Sequence, residues 1–198
     1  AKLQWYFWKR AWNLVKTEKK IGCVVSDSHR DFVANHTNLS KQSIITIPAG
    51  ADTQQFTIGV KSMPIKLCYH GKLDSNRGIL SLFEIHSRLS DLGVETELYL
   101  HGSGNLYPKL SSYQNKNIYL TESLDTDTLS NALMGYDVGF LPMPNRKIWR
   151  LASPLKRAEY LASGMIVVGT KHSGHQIEEA GDWLTLFDEQ SYVQDSVK

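Results

Sequence analysis

From Ile65 onward, short apolar runs alternate with segments of helical periodicity, and the loops between them are rich in Gly, Ser, Asp and basic residues. Apolar strands separated by helices cannot be joined as hairpins. They require right-handed crossovers, which give a parallel sheet with helices on both faces. The pattern predicts strands at Ile65–Tyr69, Glu97–Leu100, Asn117–Leu120, Asp137–Leu141, Met165–Gly169 and Leu184–Phe187. Between them it predicts helices at Gly78–Leu92, around Tyr107–Tyr113, from Asp125 or Asp127 to Met134, at Ser153–Gly164 and at Gln176–Ala180. The fold class is α/β, a Rossmann-like parallel sheet.

The residues before Ile65 read differently. Residues 2–20 carry Trp5, Trp8, Trp12 and Val15 at helical spacing, with lysines mostly elsewhere, which makes an amphipathic helix. The stripe is read as packing on another domain, with peripheral contact to an anionic membrane as the alternative. Ile21–Val25 and Ser43–Ile47 are strand candidates around a helix through Asp31–His36 that Ser26 and Asp27 can cap. Two strands and a helix cannot close a core. Residues 1–50 are therefore read as the end of an N-terminal α/β domain, 51–63 as a linker, and 64–198 as a Rossmann-like domain. A start without Met and an end at Tyr192–Lys198, where another element could begin, are read as a fragment of a longer chain.

Composition removes several functions. The 22 basic and 20 acidic residues nearly cancel, so the chain is no general nucleic-acid binder, and any positive site is local. No apolar stretch approaches the ~20 residues of a membrane span. Cys23 and Cys68 lie in apolar runs and read as reduced core thiols of a cytoplasmic protein. No metal site is expected: His172 and His175 with Glu178 and Glu179 straddle a Ser-Gly turn and have no third His or Cys nearby.

In a sheet of this kind ligands bind beyond the carboxyl ends of the strands. The loop after the first strand contains Gly71, Lys72, Arg77 and Gly78, two cations beside a helix start with glycines that let a ligand approach the backbone. Arg77 suits a forked contact to a diphosphate and Lys72 a point charge. Ser153-Pro154-Leu155-Lys156-Arg157 opens a helix closed by Gly164. Ser153 is expected to cap it, and its first amides with Lys156 make an anion site, against the plainer reading of a capped helix with solvated cations. Glu159, one turn further along, can accept two ribose hydroxyls or pair on the surface. Gly102-Ser103-Gly104 opens like a dinucleotide fingerprint but has Tyr107 where the third glycine belongs, so nicotinamide binding is disfavoured. His70 and His101 end strands on the ligand side, where capping or solvent exposure is the expectation.

Taken together, these motifs resemble the C-terminal, donor-binding half of a retaining GT-B glycosyltransferase of the large group 1, or family 4, type. The landmarks are Val24-Val25-Ser26, Ile47-Pro48-Ala49-Gly50-Ala51-Asp52, Gly71-Lys72 with Arg77-Gly78, His101-Gly102-Ser103-Gly104, Tyr136-Asp137-Val138 and Ser153-Pro154-Leu155-Lys156 with Glu159-Tyr160-Leu161-Ala162-Ser163-Gly164. The resemblance implies a nucleotide-diphosphate sugar as substrate (UDP-, GDP- or ADP-sugar), no cofactor, and a glycan, lipid or protein-linked acceptor held mainly by an N-terminal domain. It places Lys72 and Arg77 on the donor diphosphate as catalytic groups and Glu159 on the ribose, with Gly71, Gly102, Ser153, Leu155 and Lys156 completing the donor site. The family commonly has a second glutamate eight positions before Glu159; here Leu151 stands there, as in a subgroup with the Ser-Pro-Leu-Lys version. The implied function is transfer of a hexose in cell-envelope or polysaccharide synthesis, in the cytoplasm or at the inner face of the membrane, with this fragment alone inactive. A non-catalytic nucleotide-sugar-binding or partner module and a GT-B sugar-nucleotide epimerase are the alternatives.

Overall fold

The structure, a computed structural model, describes residues 2–198 apart from the side chains of Glu178 and Glu179. It opens with helix α1 (Lys2–Thr17), strand β1 (Gly22–Val24), helix α2 (Asp27–Thr37) and strand β2 (Ile44–Thr46). β1 and β2 pair in parallel, Gly22 opposite Ile44 and Val24 opposite Thr46. Val24, Val33, Ala34 and Ile44 form a small core of their own, with Trp8 and Trp12 packed against it. The aromatic stripe thus packs within the described chain: Trp5 stacks on Trp8 at 4.6 Å, and Trp8 meets Phe32 at 5.8 Å. The opposite side of α1 stays exposed through Leu3, Tyr6, Phe7 and Leu14. Cys23 is exposed, contrary to its reading as a core thiol, because it is the outward residue of β1; Cys68 is buried, and both are free.

Residues 51–63 contain neither helix nor strand, yet they are anchored to the main sheet and its helices. Phe56 is buried in the main core. The Lys61 ammonium donates to the carbonyls of Met134 at 3.1 Å and Ser163 at 3.4 Å, and to that of Tyr136.

The main sheet contains β3 (Ile65–His70), β4 (Thr96–His101), β5 (Ile118–Thr121), β6 (Val138–Leu141), β7 (Ile166–Thr170) and β8 (Leu184–Phe187), all parallel. The helices α3 (Leu80–Asp91), α4 (Tyr107–Leu110), α5 (Thr126–Leu133), α6 (Lys147–Arg150), α7 (Leu155–Ala162) and α8 (Tyr192–Asp195) flank it. The spatial order is β5-β4-β3-β6-β7-β8, so the winding direction reverses between β3 and β6. β3 pairs with β4 as far as His70 opposite His101, but with β6 only as far as Cys68 opposite Gly139. The strands separate beyond that point, and such a crevice is where an open α/β sheet offers a binding site.

Helix boundaries differ from the sequence pattern in two instructive places. Helix α7 begins at Leu155 with Pro154 as its N-cap, and no side chain caps it. Ser153 lies one residue too early, and its hydroxyl accepts the Ala49 N–H at 3.0 Å instead. The segment expected as a helix at Gln176–Ala180 is a 3-10 element at Glu178–Trp183, interrupted at Gly181 with φ 52°. Among the described residues, no helix is long and apolar enough to cross a membrane.

Candidate functional site

The crevice between β3 and β6 holds a cavity of about 370 Å³. The loop after β3 contributes His70, Gly71 and Arg77; Met143 and Trp149 follow β6; α7 and the residues before it add Ala152, Pro154, Leu155, Lys156 and Glu159; His175 follows β7. A wider groove of about 730 Å³ runs along α1 past Lys9, Arg10 and Trp12, but it shares no residue with this crevice.

Lys156 and Arg77 bring two cations to one place. The helix carries Lys156 inward, where it is 9% exposed. Its ammonium donates to Tyr69 Oη at 3.3 Å and lies 4.3 Å from the centre of that ring. Burial, and then the Arg77 charge, push the Lys156 pKa down to about 7, against a weaker pull upward from Glu159. The expectation of solvated cations at this helix start is therefore overturned for Lys156. It is overturned for Arg157 too, which is buried and donates to the carbonyls of Gly174 at 3.1 Å and Gln176 at 2.9 Å. Arg77 has its guanidinium carbon 4.6 Å from the centre of the Trp149 ring, and its buried Nε makes no hydrogen bond among the described residues but lies 4.0 Å from Asp74 Oδ2.

Glu159 is buried, and its Oε2 lies 3.0 Å from His70 Nε2 at angles that fall short of a regular hydrogen bond. Tyr160, beside it on the helix, accepts the His70 N–H at 3.1 Å and so fixes the end of β3 against α7. Burial lowers the His70 pKa first; contact with Glu159 opposes this and the Lys156 charge adds to it. The amides of Leu155 and Lys156, the first two of α7, have no acceptor within the helix and carry its positive end. Two cations, helix-start amides with no intrahelical acceptor and the Glu159 carboxylate converge on one crevice, which suits an anion joined to a polyhydroxylated group.

The other expected site residues lie outside the lining. Lys72 is exposed, with its ammonium 3.3 Å from Ser103 Oγ. Gly102 sits behind Gly71: a methyl group there would fall 1.8 Å from the Gly71 carbonyl oxygen, so glycine is required for the two loops to touch. Ser153 faces the N-terminal unit through Ala49. His101 is buried rather than exposed, bridging Thr121 Oγ1 at 2.7 Å and Tyr136 Oη at 2.8 Å, and burial lowers its pKa to about 4. Of the four residues weighed as a metal group, His172 and His175 have ring centres 3.7 Å apart with the planes tilted by 37°, while the Glu178 and Glu179 side chains lie outside the described residues. Trp149 and His175 were not anticipated as lining. Trp149 sits in the basic stretch Arg146–Arg150, which shows no periodicity long enough to announce the four-residue α6.

Comparison with known proteins bears on the family and the fold. The family model described as glycosyl transferases group 1 matches residues 64–196. Among curated proteins, none matches the chain. Of solved structures, a pneumococcal O-GlcNAc transferase, GtfA, determined with UDP and GlcNAc, superposes with a TM-score of 0.68 at 15% identity, covering 94% of this chain and 39% of that one. WaaG, a glycosyltransferase involved in lipopolysaccharide biosynthesis, gives 0.65 at 14% identity, covering 88% and 51%. The C-terminal domain of a glycosyl transferase group 1 family protein, LpcC, from Francisella tularensis gives 0.54 at 15%, covering 74% and 85%. At these identities the likeness is one of fold, and the chain spans about two fifths to one half of GtfA and WaaG. The chain belongs to the group 1 glycosyl transferases and has the fold of the C-terminal half of a GT-B glycosyltransferase.

Proposed function

We propose that the crevice holds the nucleotide-diphosphate sugar donor of a retaining hexosyltransferase. The observation that carries this reading is the convergence of Arg77, Lys156 and Glu159 on one cavity at the switch point of the sheet. Arg77, Lys156 and the first amides of α7 hold the diphosphate; Glu159 accepts the ribose hydroxyls. In the reaction the bond from the sugar's anomeric carbon to the diphosphate oxygen breaks, and the electron pair leaves with the nucleotide. The same cations and amides stabilise that developing charge, which is electrostatic catalysis at the leaving group. An acceptor hydroxyl then attacks on the face that the diphosphate left, its oxygen forming the new bond to the anomeric carbon and its proton passing to an oxygen of the departing diphosphate. Lys72 joins the diphosphate when its side chain swings away from Ser103, and Gly71 offers its backbone, brought close by Gly102. Ser153 acts through the position of its loop.

UDP-, GDP- and ADP-sugars are the candidate donors, and glycan, lipid or protein-linked groups the candidate acceptors. The pneumococcal transferase was determined with UDP and GlcNAc, which favours trying UDP-GlcNAc first. Peripheral contact with an anionic membrane on the cytoplasmic side belongs to the same proposal, supported by the exposed Tyr6, Phe7 and Leu14 of α1 beside Lys9, Arg10 and Lys16. A thermal-shift screen with the three nucleotide sugars tests the reading, because a ligand of the native state raises the midpoint. No shift with any of them, on a folded sample, would sink it.

A second reading, binding without turnover, is favoured by Leu151, which stands eight residues before Glu159 where the family commonly has a glutamate. Assay of the full-length protein beside its Leu151→Glu variant separates the two. Activity in the parent protein excludes the second reading.

A further inference from the structure

One wall of the cavity is the short loop between α6 and α7. Ala152 and Pro154 line the cavity. The alternate positions, Leu151 and Ser153, are held from the other side by the N-terminal unit. Ser26 Oγ donates to the Leu151 carbonyl at 2.8 Å, and the Ala49 N–H donates to Ser153 Oγ at 3.0 Å. Behind this loop is a second cavity of about 460 Å³, lined among others by Ser26, Thr46, Ala152 and Ser153, so Ala152 separates two open spaces. From below, Ser173 Oγ donates to the Arg150 carbonyl at 3.0 Å. Gly174 comes so near that a methyl group there would lie 2.0 Å from the Trp149 carbonyl oxygen. The loop thus has a fixed floor in the main domain, and its outer edge is tied to β1, α2 and the end of β2.

Ser26 has two jobs that its chemistry allows to be separated. A hydroxyl has one proton and two lone pairs. As N-cap of α2, Ser26 Oγ accepts the His29 N–H at 3.1 Å, which uses a lone pair. Its single proton crosses the junction to Leu151. Capping therefore requires only an acceptor, whereas holding the loop requires a donor.

We propose that Ser26 is a positioning residue for the donor cavity: its hydroxyl proton fixes the Leu151 carbonyl and with it the wall formed by Ala152 and Pro154. The shape of the cavity then depends on where the N-terminal unit sits. The effect on ligand binding rests on the donor-site reading; the effect on the loop does not.

The test uses the 198-residue chain with Ser26→Thr, Ser26→Asp and Ser26→Ala. Thr keeps both functions, Asp keeps the cap and loses the donated proton, and Ala loses both. Two quantities are read: hydrogen exchange of the amides of residues 151–156, and affinity for UDP, GDP and ADP by calorimetry. In Ser26→Asp, exchange at the loop should quicken and nucleotide affinity fall by about 5- to 30-fold, the loss for a part-buried carbonyl deprived of its donor. The thermal midpoint without nucleotide should fall less in Ser26→Asp, which loses only the donated proton, than in Ser26→Ala, which loses the cap as well, and Ser26→Thr should match the parent throughout. Loop exchange in Ser26→Asp at the parent rate would overturn the proposal. So would acceleration spread evenly over the chain, which is the mark of a lost cap. Local acceleration with unchanged affinity would remove the claim that the wall governs binding. If the parent binds none of the three nucleotides, the donor reading fails, and the exchange data alone decide whether Ser26 holds the loop.

Discussion

Lys156→Met should stabilise the protein in the absence of nucleotide while destroying its ability to hold a diphosphate. The lysine pKa falls from an ordinary 10.5 to about 7 in the folded protein, chiefly through burial and next through Arg77. At ~1.4 kcal/mol per pH unit, keeping that ammonium charged in the fold costs about 5 kcal/mol. That figure is already net of the contacts the charged form makes; Met in addition forgoes the hydrogen bond to Tyr69 that even a neutral amine keeps, about 1–1.5 kcal/mol, so the gain on substitution is at least ~3 kcal/mol. The sign comes from proton counting. Between pH 7 and 10.5 the unfolded chain binds the lysine proton and the folded protein does not, so this contribution to stability rises with pH in that window. Below pH 7 the full penalty applies. Met fills nearly the same volume without the charge. For a chain of this size, ~3 kcal/mol is a rise in midpoint of roughly 6–12 °C. Scanning calorimetry of parent and variant at pH 6 and pH 9 checks it. The variant should lead clearly at pH 6 and by much less at pH 9. A difference that does not change with pH, or a variant less stable at pH 6, would refute the reasoning.

The same ammonium predicts that nucleotide-diphosphate binding takes up a proton near pH 7, because an anion favours the charged form; calorimetry in buffers of different ionisation enthalpy detects it, and Lys156→Met should abolish it. Arg77→Ala should weaken nucleotide affinity by ~10-fold or more, the loss of a charge-assisted contact. Lys72→Ala should weaken it less, because Lys72 is exposed and turned toward Ser103; equal losses in a side-by-side titration would reverse that ranking. Arg157→Met should lower stability by about 2–4 kcal/mol, since one buried and one part-buried carbonyl lose their charged donor; denaturant titration measures this. Gly102→Ala should cost about 3 kcal/mol or more, because a methyl group cannot share space with the Gly71 carbonyl; soluble yield and midpoint report it.

The main sheet was legible because its information is local. Apolar runs such as Leu67-Cys68-Tyr69 and Phe140-Leu141 are buried, and alternation with helices admits few topologies. The six strands of the main sheet lie where the pattern puts them, to within a residue or two at their ends. Arg77, Gly71, Leu155, Lys156 and Glu159 also meet at the crevice as the sequence suggested. What local pattern could not supply was the direction of each side chain. Lys72 and Lys156 both sit in basic loops or turns, but only Lys156 is carried inward, by the first turn of α7 under Gly71. Ser153 looked like a cap because Ser-Pro often opens a helix, yet a partner more than one hundred residues away, Ala49, took its hydroxyl. Arg157 is the same case: its acceptors lie on the loop after β7, at Gly174 and Gln176. Such choices are made by tertiary contacts, and no window of the sequence contains both partners.

Calorimetric titration of the chain with UDP-, GDP- and ADP-sugars, each repeated on Arg77→Ala and Glu159→Gln, tests the central claim most directly. One class of nucleotide sugar should bind the parent chain, and both substitutions should weaken that binding without lowering the thermal midpoint by a matching amount. Heat of binding that is absent for all three donors on folded protein, or that persists unchanged in both variants, would contradict a donor site between β3 and β6.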